Sequence, residues 1–64
     1  MAGGVIVGIL QERQADHLVL RDGTRIFITA KQAASDLAVG TSLTIAYTVK
    51  KDGRKMADSI WRCS

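Results

Sequence analysis

The chain has 64 residues, 47% of them hydrophobic, and nine basic against six acidic side chains give a net charge of +3. A domain of this length buries only about 60% of the surface its unfolded chain exposes, so the core is small and an enclosed active-site cavity is hard to accommodate. The apolar share argues against disorder, the run from Val5 to Leu10 is far too short to span a bilayer, and a lone cysteine, Cys63, excludes an intramolecular disulfide.

The first twelve residues carry no basic leader and no small-residue cleavage site, so no signal peptide is expected and the expected location is the cytoplasm, with no membrane association. Without proline, low-complexity tract or linker, residues 1–64 read as one module.

Five strands are expected. The first is Val5 to Gln11, with Gly8 inside it as the mark of a bulge or tight bend. Gly3 and Gly4 ahead of it are expected to fray. His17 to Arg21 and Thr24 to Thr29 form the second and third strands around Asp22-Gly23. The alanine-rich "AKQAASDLAVG" predicts one or two helical turns stopped by Gly40, with Asp36 solvated late in the helix. Ser42 to Val49 alternates cleanly as the fourth strand, "KKDGRK" turns the chain, and Met56 to Trp61 is the fifth.

A short five-stranded antiparallel sheet exposes edges unless it curls shut. The expected fold is therefore all-β: a small antiparallel barrel with a short helix between the third and fourth strands, the pattern of the oligonucleotide/oligosaccharide-binding (OB) fold. The alternative is an SH3-like barrel, where the helical turn falls between the fourth and fifth strands.

Register decides which residues share a face. A two-residue turn at Asp22-Gly23 would set Arg25 against Leu20, placing a guanidinium among leucines. A three-residue loop with Gly23 in the left-handed position instead pairs Leu20 with Thr24 and Leu18 with Ile26. Leu18, Leu20, Ile26 and Ile28 then face inward, and His17, Val19, Arg21, Arg25, Phe27 and Thr29 face outward. On the fourth strand Leu43, Ile45, Tyr47 and Val49 are expected inside, with the Tyr47 hydroxyl at the rim where it can find a partner.

An outward aromatic ring among cations suits single-stranded nucleic acid, since a base stacks on the ring while the cations meet phosphates. The candidate nucleic-acid-binding residues are His17, Arg21, Arg25 and Phe27 on the sheet, with Lys50, Lys51, Arg54 and Lys55 in the loop between the last two strands. The competing assignment packs Phe27 under a loop or against Trp61.

The stretches "GVIVGIL", "IFI", "DLAVGTSLTIAYTV" and "GRKMADSI" span nearly the whole chain, and together they resemble the cold-shock-type OB domains. Leu37-Ala38-Val39-Gly40 and Ala57-Asp58-Ser59-Ile60 match the family's step into the fourth strand and its last strand. "RIFI" is similar to its second RNA-binding motif, which implies an outward stacking role for Phe27. The first RNA-binding motif is replaced by "HLVL", and the histidine that follows in the family is Thr29 here, so the implied platform reduces to Phe27 with His17.

One histidine and one cysteine far apart in the chain supply neither a nucleophile–base pair nor a metal-ligand set. No enzymatic activity, metal or cofactor is expected. Two functions remain: binding of single-stranded RNA or DNA, and an interaction or assembly module that pairs with itself or a protein partner through a strand edge and residues such as Val19, Phe27 and Trp61.

Overall fold

The computed structural model describes residues 2–33 and 37–63. The β-branched run around Val5 extends in both directions into one long strand, β1 (Gly3–Arg13), followed by β2 (His17–Leu20), β3 (Arg25–Phe27), the helix α1 (Ala30–Ala33 among the described residues), β4 (Ser42–Val49) and β5 (Lys55–Arg62). The sheet closes in a ring in the order β1-β2-β3-β5-β4, with β4 returning to β1. The ring is not wholly antiparallel as expected: β3 meets β5 in parallel, at the single pair Phe27–Met56. This junction closes the sheet with little backbone pairing, because β3 is only three residues long.

Both tight hairpins are built on one local plan. Gly23 has φ +93° and Gly53 φ +88°, a region that side chains other than glycine's rarely tolerate. In the first turn the Leu20 N–H donates to the Thr24 carbonyl and Gly23 N–H to the Leu20 carbonyl; in the second, Lys50 N–H donates to Arg54 and Gly53 N–H to Lys50. The Asp22 and Asp52 carboxylates accept the backbone N–H of Thr24 and Arg54, at 2.9 and 3.0 Å. The sequence "DG" preceded by a basic residue thus encodes the same three-residue loop twice.

That loop sets the register expected for β2 and β3, with Leu18 opposite Ile26 and Val19 opposite Arg25. Leu18, Leu20, Ile26 and Ile28 all point inward and are buried with Leu10, Leu37, Leu43, Ile45 and Ala57; Ile6 and Ile60 pack against this cluster. The periodicity breaks on β4 after Ala46, where the pairing with β5 shifts by one residue. Leu43 and Ile45 are buried, whereas Tyr47 and Val49 are only half-buried.

Glycine positions in β1 depart from expectation. Gly3 and Gly4 do not fray but pair with Thr48 and Tyr47. A Cβ on Gly4 would stand 3.1 Å from the Tyr47 Oη, so the bare backbone leaves room for that ring. Gly8 does not sit at the bulge; the irregularity in the β1–β2 pairing falls between Leu10 and Glu12. Its role is steric, since a Cβ there would come within 2.9 Å of the Leu20 Cδ1.

Between β3 and β4, Thr29 lies past the end of β3 rather than on the outer strand face, and caps α1 through reciprocal hydrogen bonds with Gln32. Gly40 has φ +94° in the turn into β4, and its N–H donates to the Leu10 carbonyl at 2.7 Å. Asp36 lies outside the described residues. Leu37 enters the core, and the Arg13 guanidinium donates to its carbonyl at 3.1 Å. No helix among the described residues is long and apolar enough to cross a membrane.

Candidate nucleic-acid interface

Alternation in β2 and β3 turns His17, Val19, Arg25 and Phe27 to the outside of the ring, opposite the leucine-rich inner face. His17 and Phe27 are direct cross-strand partners, and their ring centroids lie 5.8 Å apart with the planes tilted by 50°. That is the separation of an edge-tilted aromatic pair. Phe27 is half-buried and Arg25 is exposed.

His17 is held by its preceding neighbour. Its Nδ1–H donates to the Asp16 carboxylate at 2.7 Å, which fixes the ring and leaves Nε2 as its second polar atom. This hydrogen bond is the main cause that holds the Asp16 carboxyl below its ordinary value of 3.8.

The parallel β3–β5 junction brings the β4–β5 turn to this face. The Arg54 guanidinium carbon lies 5.1 Å from the centre of the Phe27 ring, within cation–π range. The Arg54 Nε also donates to Asp52 at 3.1 Å. Lys50 and Lys51 are exposed in the same turn, while Lys55 is the first residue of β5 and half-buried.

The structure therefore assembles His17, Phe27 and Arg54 into one contiguous group. Arg25 flanks it through its pairing with Val19, and Arg21 lies at the β2–β3 turn. Trp61 is not Phe27's neighbour: it is 52% exposed and pairs with Thr44 on β4, so the ring lies beneath Arg54 instead. Sequence reading missed Asp16, for which adjacency to the histidine was the available signal, and Met56, whose place beside Phe27 depends on ring closure.

Among the described residues no group of three or more His, Cys, Asp or Glu side chains is placed to hold a metal ion. Cys63 is exposed, with its Sγ 3.2 Å from the Thr44 Oγ1. No known protein family, curated protein or solved structure matches the chain.

Proposed function

We propose that the protein is a small OB-type barrel that binds single-stranded nucleic acid, RNA or DNA, across the outer face of β2 and β3, without catalysis. The strand order β1-β2-β3-β5-β4, with α1 between β3 and β4, favours this fold over an SH3-like barrel. The observation that carries the functional reading is the outward Phe27 ring bracketed by His17 and the Arg54 guanidinium. A base stacks on the ring or on the guanidinium plane, and cations around it meet the flanking phosphates.

In this reading Phe27 is the stacking surface, with His17 beside it. Arg21, Arg25 and Arg54 contact the backbone next to the stacked base. Lys50, Lys51 and Lys55 attract the strand at longer range. Binding is weak and falls with salt, because each phosphate neutralised releases condensed counterions.

The test is a fluorescence-anisotropy titration of labelled mixed-sequence single-stranded RNA and DNA at low and moderate salt, with wild type and Phe27→Ala side by side. Loss of one stacked base costs about 1–3 kcal/mol. Weaker binding by a variant that keeps its thermal transition supports the proposal. Equal binding by the two proteins, or none by wild type at low salt, refutes it.

A further inference from the structure

We propose that the N-terminal half of β1 is a self-pairing edge, through which two copies of this chain join their sheets antiparallel into one continuous sheet. Along this half, β1 is paired on one side only. Residues 3–9 pair with β4, and the β1–β2 ladder begins at Leu10. Among the described residues no strand lies on the other side of residues 3–8.

The hydrogen bonds at the two ends of the β1–β4 ladder show which backbone groups face outward. The Ala2 carbonyl accepts from Val49 N–H and the Leu10 N–H donates to Thr41, so even-numbered residues of β1 face β4. Ile9 faces the other way, since its carbonyl accepts from Arg21 N–H. By alternation, Gly3, Val5 and Val7 turn their N–H and C=O groups to the open side. The Val5 and Val7 side chains stand on the outer surface, 66% and 63% exposed.

Chemistry and charge favour a second copy as the occupant. Open edges are ordinarily guarded by charge, proline or cover. The second side of β5 has such guards, namely Lys55, Asp58 and Arg62 in its sequence and the Gln32 amide donating to the Ala57 carbonyl. From Ala2 to Gln11 there is no charge and no proline, so two copies of a protein with net charge +3 meet along this strand without opposing like charges.

An antiparallel pair centred on Ile6 sets Val5 against Val7 of the partner copy and the reverse, matching odd residues to odd as the hydrogen-bond pattern requires. Each edge is used up by its twin, so assembly stops at two. One strand pair of this length falls short of the about 1,200 Å² of a standard stable interface, which makes the dimer concentration-dependent. The edge residues Gly3, Val5 and Val7 are not among those of the Phe27 face, although Arg21 borders both through its N–H to the Ile9 carbonyl, and the inference does not depend on nucleic-acid binding.

The experiment is sedimentation equilibrium from micromolar to millimolar protein, on wild type and on Val5→Lys/Val7→Lys, with amide hydrogen exchange on wild type over the same range. The expected result is a monomer–dimer equilibrium in wild type that the double variant loses while keeping its thermal transition. Exchange at Val5 and Val7 slows as concentration rises, and exchange in residues 50–55 does not. This last readout holds whether or not the variant folds. A wild type that stays monomeric throughout, a dimer unaffected at the Val5 and Val7 amides, or growth past two copies overturns the proposal; a monomer that captures a foreign strand would assign the edge to a different partner.

Discussion

The Arg54 guanidinium lies over the Phe27 ring at 5.1 Å, tying the β4–β5 turn to the β2–β3 face. Its contribution to stability is small, about 0.5–1 kcal/mol for an exposed cation–π contact. Two opposing effects meet in Arg54→Ala: the ring is uncovered for a base, and a phosphate partner is lost. Because the exposed contact is weak, loss of the cation prevails. The expected outcome is weaker binding at low salt, convergence with wild type at high salt, and a slope of log affinity against log salt shallower by about 1. Stronger binding by the variant would make Arg54 a cover on Phe27 and not a ligand contact.

Gly8 and Leu20 form a steric pair in the core. A Cβ on Gly8 would meet Leu20 Cδ1 at 2.9 Å, and Leu20 is fully buried, so its side chain has little space into which to move. Gly8→Ala is expected to destabilise by about 1–3 kcal/mol through overpacking. Leu20→Val in the same chain relieves part of the clash, so the double variant should be more stable than the sum of the single changes predicts. Urea denaturation of the four proteins measures the coupling, and strict additivity would mean that Gly8 is needed for some other reason.

The local chemistry of the first hairpin is legible in the amino-acid sequence, because only a three-residue loop at Asp22-Gly23 buries four aliphatic side chains without burying Arg25. The inner face of β2 and β3 follows from it, and so does the outward position of Phe27. What closes the ring is not legible there. The β3–β5 contact is one parallel pair between residues 29 positions apart (56 − 27), and no periodicity marks it. The site depends on that closure, since it is what sets Arg54 over Phe27 and leaves Trp61 elsewhere. Two departures from expectation have a local cause. Consecutive glycines read as a fraying end, although they leave room for Tyr47; Thr29 reads as strand by its β-propensity, although "TAKQ" carries the spacing of a capping box.

That capping box supports a second prediction about stability. Thr29 N–H donates to Gln32 Oε1 at 2.9 Å, Gln32 N–H donates to Thr29 Oγ1 at 3.2 Å, and Gln32 Nε2 donates to the Ala57 carbonyl at 3.0 Å. Thr29→Ala should cost about 0.5–2 kcal/mol, and Thr29→Ser should recover most of it. Gln32→Glu keeps the oxygen that accepts from Thr29 but loses the donor to β5, so it separates the cap from the tether. A thermal transition for Gln32→Glu equal to that of wild type would show that the tether to Ala57 adds nothing.

Asp22 makes the hairpin's stability depend on acid. Its carboxylate accepts the Thr24 N–H, and this hydrogen bond holds its pKa below the ordinary 3.8. In the interval between the lowered folded value and the ordinary one, the unfolded chain binds more protons than the folded chain, so stability rises with pH there. The contribution is complete above about pH 4 and is lost as pH falls through the folded value. Asp22→Ala should therefore lower the melting temperature at neutral pH, and its difference from wild type should shrink in acid. Asp22→Asn keeps a side-chain oxygen for the Thr24 N–H without a titrating group, so it should remain near wild type at neutral pH and lose less on acidification. Melting curves of the three proteins between neutral pH and about pH 2 decide the matter: a wild-type-to-alanine difference that stays constant across that range would show that the carboxylate's charge plays no part in the turn.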